Sequence, residues 1–369
     1  MSVVVSDKKQ LLFAIILIAI AIVVVELFLL GFQFLIWECD FVAAEIYPNI
    51  DYFKQKQICL DYQSLSYNWG LNPYNTPNQK TDTYTINNFG FRGDNITFEK
   101  PNNTYRIFLI GGSTGFGWGS TSDQTTISGY IQQEFDNANL EINVEVINAG
   151  ITGTASIQET YRIKNSLFKF NPDMIIVYGG LNDMGTAFEK TVNPQYLEMS
   201  NAKIIHSKIQ TYLPFYKTPS IIPVFLEWIS FHLEGKELHN RESIRYDNID
   251  LRAENWNMRQ KDVCNFGKEK NFETVIVLQP ILGTGDKILT EYEKNYLNAN
   301  GVSHVKKSYD IFAEGLKGLE DCAVTADFRN IFDGNTEFLY YDGAHLSDRG
   351  NEIVAKEIMK IISPGIKPT

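Results

Sequence analysis

Four short apolar runs, at residues 107–110, 142–147, 174–178 and 274–278, stand out after residue 104. The first stops abruptly on Gly111-Gly112 and the third on Gly179-Gly180, as buried strands of a parallel sheet do where the chain leaves the core. Segments 125–135, 157–170, 251–270 and 348–362 read as helices placed between and after them. Strands alternating with helices predict an α/β protein: a three-layer α/β/α sandwich with a central parallel sheet. No internal repeat or low-complexity tract interrupts this pattern.

The beginning of the chain follows a different pattern. Residues 11–31 are almost unbroken Leu, Ile, Val, Ala and Phe, with Glu26 the only charge, and 32–37 extend the run. That exceeds the roughly 20 residues that cross a bilayer as a helix. Lys8 and Lys9 precede the run and Glu38 and Asp40 follow it, so the positive-inside rule leaves a short cytoplasmic tail and places the rest outside the cytoplasm. A cleaved signal peptide with Val42-Ala43-Ala44 as its cleavage site is the competing reading. The apolar core is longer than the ~7–15 residues usual for a signal, which favours a retained anchor. The chain thus divides into a tail at 1–10, a transmembrane anchor at 11–36, a juxtamembrane connecting segment at 37–104 and a main domain at 105–363. Tyr, Asn and Pro are frequent in the connecting segment, and its Asn88-Phe89-Gly90-Phe91-Arg92-Gly93 stretch reads as a turn carrying a buried arginine. An insertion at about 192–250, rich in aromatic residues such as Tyr212, Phe215 and Trp228, breaks the alternation. It reads as a subdomain with its own small core, or as a lid or lipid-facing surface.

Composition changes this picture in two respects. The net charge of −11 and the lack of clustered Lys and Arg exclude a nucleic-acid-binding surface. Four cysteines, Cys39, Cys59, Cys264 and Cys322, are too far apart for a zinc ribbon or a redox pair. Outside the cytoplasm, Cys39 with Cys59 and Cys264 with Cys322 is the simplest pairing, with free buried thiols as the alternative. No metal or cofactor is implied, and the composition sets no oligomeric state.

The candidate chemistry lies where apolar runs end on glycine turns. Ser113 follows the first run, at the sheet edge where open α/β folds bind ligands. A serine needs a base to remove its proton, and the base needs a group that fixes its tautomer. Of five histidines, His206, His232, His239 and His304 lie away from glycine turns, whereas His345 sits in Tyr340-Tyr341-Asp342-Gly343-Ala344-His345-Leu346-Ser347. Asp342, three residues before His345, can reach the imidazole if the segment is helical or tightly turned. Acyl transfer also needs donors for a developing oxyanion. Gly150, after the second run, offers a backbone N–H, and Asn182 in Gly179-Gly180-Leu181-Asn182-Asp183 offers a side-chain amide.

In that order, Gly111-Gly112-Ser113-Thr114, Gly150, Gly180-Leu181-Asn182-Asp183 and Asp342-Gly343-Ala344-His345 resemble the four blocks of the SGNH (GDSL-type) hydrolases. The resemblance spans residues 105–362, and the 88–93 stretch is similar to a segment upstream of the domain in membrane-anchored members. Where the family's name pattern has Asp before the serine, this chain has Gly112. The resemblance implies a flavodoxin-like SGNH fold with Ser113 as nucleophile, His345 as general base and acid, and Asp342 orienting His345. It further implies an oxyanion hole of the Ser113 and Gly150 N–H groups with the Asn182 amide, and Asp183 in support.

Gly111-Gly112-Ser113-Thr114-Gly115 also fits the G-x-S-x-G elbow of α/β-hydrolases. Chain order excludes that fold, because the serine ends the first strand and its partners lie three residues apart near the C-terminus. A phosphate-binding loop would need a Lys after the glycines, and none is present. The expectation is a membrane-anchored extracytoplasmic esterase acting on an O-acylated cell-surface glycan or a lipid ester. An O-acyltransferase with the same residues and a non-catalytic glycan- or lipid-binding receptor are the alternatives.

Overall fold

A computed structural model of the chain describes residues 7–36, 47, 49–138, 140–184, 248–300 and 303–362. Val42-Ala43-Ala44, Cys39, the 192–247 part of the insertion, His206, His232 and His239 lie outside the described residues, and so does the side chain of His304. The chain forms two units, and the described part of the smaller one is helix α1 (Asp7–Ile36). Within it Lys8–Phe28 is long and apolar enough to cross a membrane, as a signal sequence or as an anchor. The larger unit, Asp40–Glu198 with Asn240–Thr369, carries everything else described.

Five parallel strands make the central sheet of that unit: β1 (Thr104–Gly111), β2 (Asn143–Asn148), β3 (Met174–Gly179), β4 (Glu273–Leu278) and β5 (Val324–Asp327). Their order is β2-β1-β3-β4-β5. The chain moves outward from β1 to β2, then returns to the other side of β1 with β3, so the switch point lies between the C-terminal ends of β1 and β3.

Side chains alternate between two apolar cores, as the two-residue strand period requires. Phe108 and Ile110 of β1 join Ile163, Trp256, Val263 and Phe312 on one face. These belong to α5 (Ser156–Asn165), α7 (Ile249–Lys270) and α9 (Ser303–Gly315). Ile107 and Leu109 join Ile131, Val354 and Ile358 on the other face, from α4 (Ile127–Asn137) and α10 (Asp348–Ile362). The larger unit is therefore the three-layer sandwich that the sequence pattern implies. α5 ends at Asn165 and a separate 3₁₀ turn runs Leu167–Phe170, so the predicted helix 157–170 is two elements. Strand β5 and helices α8 (Glu291–Asn300) and α9 have no counterpart among the predicted elements.

The connecting segment is structured. It holds α2 (Tyr52–Gln63) and two hairpins of two-residue strands, Tyr67–Asn68 with Tyr74–Asn75 and Gln79–Lys80 with Thr85–Ile86. Arg92 bridges Ile86 to Asn148, so the segment extends the sheet at the β2 edge. Cys264 of α7 is disulfide-bonded to Cys322, just before β5, which replaces the free-thiol reading for that pair. Cys59 is disulfide-bonded as well.

Candidate active site

Nothing larger than glycine fits at the last position of β1. A Cβ on Gly111 would lie 2.2 Å from the Tyr178 carbonyl on β3. The chain then turns at Gly112 into the single-turn helix α3 (Ser113–Phe116), which closes on Gly117 in the left-handed conformation, φ 85°. Ser113 is the first residue of that turn, directly above the switch point.

The Ser113 hydroxyl oxygen lies 2.7 Å from His345 Nε2, and His345 Nδ1 lies 2.6 Å from Asp342 Oδ2. An ionised carboxylate only accepts, so Nδ1 carries the proton toward Asp342 and Nε2 presents its lone pair to Ser113. The three-residue spacing works through a tight turn rather than a helix. Asp342 Oδ1 accepts from the N–H groups of Ala344 at 2.8 Å and His345 at 2.7 Å, and a Tyr340–Leu346 bridge closes the loop. Burial raises the Asp342 pKa, but the adjacent His345 and these hydrogen bonds outweigh it and hold the carboxyl below its ordinary value. The ring of Tyr341 stacks parallel to His345 with centroids 5.7 Å apart. After the loop, Ser347 caps α10 by accepting from Gly350 N–H at 3.2 Å.

The candidate oxyanion donors lie beside the same turn. A Cβ on residue 112 would lie 2.4 Å from Asn182 Nδ2, so the Asn182 amide sits against the residue before the serine. One Nδ2 proton goes to the Thr154 carbonyl at 2.7 Å, which leaves the second for a ligand. Glycine rather than aspartate at position 112 follows from this packing. Gly150 lies against α3, its Cβ position being 2.3 Å from Phe116 N, and its N–H donates to Asn148 Oδ1 at 3.0 Å. An oxyanion there has to share that proton with Asn148.

Asp183 is held at the start of α5. It accepts from Ser156 N–H at 3.1 Å and lies 3.7 Å from Arg259 Nη1, which ties α6 (Leu181–Met184) to the start of α5. Burial raises its pKa against the pull of Ser156 and Arg259. Behind it, Glu159 is pushed well above the ordinary carboxyl value by burial and by Asp183, and burial brings the Arg162 guanidinium down to about 10. Arg162 donates to the Ala149 carbonyl at 2.6 Å and so holds the peptide that carries the Gly150 N–H. Sequence reading passes over Asn148, Thr154, Glu159 and Arg162, although Asn148 and Thr154 flank the Gly150 turn that marks the place. No group of three or more His, Cys, Asp or Glu side chains that could hold a metal ion occurs among the described residues.

A parallel α/β/α sandwich with serine, histidine and carboxylate linked at its switch point defines the class as a serine hydrolase. The chain belongs to the GDSL-like lipase/acylhydrolase family, whose model matches residues 103–358, and it is accordingly an enzyme that hydrolyses carboxylic esters. Among solved structures, the acetyl xylan esterase AlAXEase is 14% identical, with 70% of this chain and 99% of that chain covered and a TM-score of 0.41. The acetylxylan esterase Axe2 from Geobacillus stearothermophilus is also 14% identical, with 71% and 95% covered and a TM-score of 0.40. A comparison with curated proteins finds no significant match.

Proposed function

We propose that the protein is a membrane-anchored serine esterase whose catalytic domain lies outside the cytoplasm and removes O-acyl groups from a cell-surface glycan or a lipid ester. The observation that carries this reading is the chain of short hydrogen bonds from Ser113 through His345 to Asp342, at 2.7 and 2.6 Å. The apolar Lys8–Phe28 stretch and the lysines before it support the anchor and its orientation. The disulfide at Cys264–Cys322 supports an oxidising compartment.

In this mechanism Ser113 Oγ attacks the ester carbonyl while His345 Nε2 takes the serine proton, and Asp342 stabilises the resulting imidazolium. The Asn182 amide and the N–H groups of Ser113 and Gly150 receive the oxyanion. Collapse of the tetrahedral intermediate breaks the ester C–O bond, and His345 returns the proton to the departing alcohol. Water then attacks the acyl-enzyme, giving up its proton to His345, and the carboxylic acid leaves as Ser113 is reprotonated. Asp183 supports the loop that carries Asn182.

The test uses the full chain in detergent with p-nitrophenyl acetate and longer-chain esters, beside Ser113→Ala and His345→Ala. Turnover by the wild type alone, with fluorophosphonate labelling that Ser113→Ala abolishes, is the expected result. Equal turnover in all three proteins would overturn the mechanism. Labelling without hydrolysis would redirect the reading to acyl transfer onto a sugar hydroxyl, which uses the same residues.

A further inference from the structure

The turn that follows Ser113 is held in large part from outside the family domain. Its carbonyls at residues 116 to 120 are each taken by a side chain. Phe116 O accepts from Arg92 Nη1 at 3.1 Å and from Asn148 Nδ2 at 3.2 Å, and Gly117 O accepts from Arg92 Nη1 at 2.9 Å. The Tyr62 hydroxyl accepts from Arg92 at 2.9 Å and faces Ser120 O at 2.7 Å and Gly117 O at 2.9 Å. The Tyr47 hydroxyl donates to Gly119 O, and that of Tyr341 to Trp118 O. Arg92 is buried, and its remaining N–H groups reach Asp123 Oδ1 at 2.8 Å, Ser122 O at 3.1 Å and Thr83 O at 3.3 Å.

A four-residue helix cannot hold itself, because nucleation outweighs the few hydrogen bonds it contains. The carbonyl of its last residue, Phe116, and those of the loop after it at 117–120 take their side-chain partners from elsewhere in the chain. Three of those side chains, Tyr47, Tyr62 and Arg92, precede the family match at residues 103–358, and Asn148 and Tyr341 lie within it. Tyr341 belongs to the loop that carries His345 and stacks on its ring, so the same grip spans the distance between nucleophile and base.

We propose that Arg92, with Tyr62 and Tyr47, is a positioning residue for Ser113: residues 47–92 act as a clamp that fixes the nucleophile turn against His345. The proposal rests on Ser113 being the nucleophile. The connecting segment is then part of the active site rather than a spacer between membrane and enzyme. A misplacement of about 1 Å at the reacting atoms costs on the order of 10²-fold in rate, which sets the size of the effect.

The test compares Tyr62→Phe, Tyr47→Phe and Arg92→Lys with Arg106→Lys, all in the full chain in detergent. Arg106 is an equally buried arginine at the other end of β1, bonded to Glu145, Thr97 O, Phe98 O and Phe170 O. The readouts are kcat and KM on p-nitrophenyl acetate, the rate of fluorophosphonate labelling at Ser113, and Tm. For Tyr62→Phe and Arg92→Lys, kcat and the labelling rate are expected to fall together by about 10- to 100-fold with KM nearly unchanged. Tyr47→Phe is expected to show a smaller fall in the same two readouts. Arg106→Lys is expected to lower Tm while leaving kcat of the folded protein close to wild type. Unchanged kcat and labelling in folded Tyr62→Phe and Arg92→Lys would overturn the clamp, whatever happens to Tm. Equal losses in Arg92→Lys and Arg106→Lys would do the same. If Arg92→Lys does not fold, the two tyrosine variants, which each remove a single oxygen, decide alone. Wild-type turnover by Ser113→Ala would instead overturn the underlying reading of the nucleophile.

Discussion

Replacing Asp342 by Asn tests the triad at its least forgiving point, because the structure dictates how the new amide must sit. Asp342 Oδ1 accepts two backbone N–H groups, at 2.8 and 2.7 Å, and Oδ2 faces His345 Nδ1 at 2.6 Å. In Asp342→Asn the amide oxygen stays with the two N–H groups, so the NH₂ group faces Nδ1. His345 must then carry its proton on Nε2, pointing at Ser113 Oγ where a lone pair is needed. Turning the amide over to restore the tautomer would strand both backbone donors, at about 1–3 kcal/mol each, or roughly 2–6 kcal/mol together. At 1.36 kcal/mol per decade this is on the order of 10- to 10⁴-fold. Loss of the charge that stabilises the imidazolium adds to it, and in the general serine triad the same exchange costs about 10⁴-fold in kcat. The expected result is therefore a loss of about 10⁴-fold in kcat with Tm and KM little changed, since the turn and the pocket stay in place. The assay is p-nitrophenyl acetate turnover with active-site titration by fluorophosphonate. An Asp342→Asn enzyme within tenfold of wild-type kcat would refute the assignment of the proton to Nδ1 and the orienting role of the carboxylate.

Three further outcomes follow from the geometry. Gly112→Ala places a Cβ 2.4 Å from Asn182 Nδ2, so kcat is expected to fall by about 10²-fold with Ser113 still present; Gly112→Ala/Asn182→Ala measured beside Asn182→Ala should add little, and full additivity would show that position 112 acts by another route. The Cys264–Cys322 disulfide closes a loop with a sequence separation of 58, for which chain entropy gives about 4 kcal/mol, so replacing both by Ser should lower the urea midpoint while kcat of the folded enzyme is unaffected. Glu159 has a folded pKa raised by burial and by Asp183, so the folded state binds its proton more tightly and loses stability as pH rises from the unfolded value through the folded one. Glu159→Gln, which cannot ionise, should raise Tm more at pH 8 than at pH 5; an equal change at both pH values would count against a raised Glu159 pKa.

Much of the fold was legible because its strands are buried on both faces. β1, β3 and β4 are continuous apolar runs in the sheet interior, and the two glycine stops mark where the chain has to leave it. β5 is different: its sequence is VTAD, it pairs with β4 alone, and its residues are half-buried or exposed. An edge strand of four residues carries too little periodicity to separate from a loop. Ser113, Asn182, Asp342 and His345 could be singled out because each follows or flanks a glycine turn, and because Asp342 and His345 need only one local turn to meet.

The clamp around residues 116–120 was not legible, for a reason that concerns its acceptors. Tyr47 and Tyr62 reach carbonyls 72 and 55 residues away, and every residue in the chain has a carbonyl, so nothing in the acceptor sequence identifies the partner. Arg92 was readable as a buried arginine in a turn, but not as one directed at the turn after Ser113. The arrangement leaves a sequence mark only where it excludes a side chain. At Gly119, with φ +88°, a Cβ would lie 2.1 Å from the Tyr341 hydroxyl oxygen. At Gly117, with φ +85°, it would lie 2.6 Å from Thr126 Cγ2. The glycines of Gly115-Phe116-Gly117-Trp118-Gly119 after Ser113 therefore do more than permit a turn. Those at 117 and 119 let the chain adopt left-handed backbone where a side chain would strain it, and the one at 119 leaves room for the Tyr341 hydroxyl that holds Trp118 O.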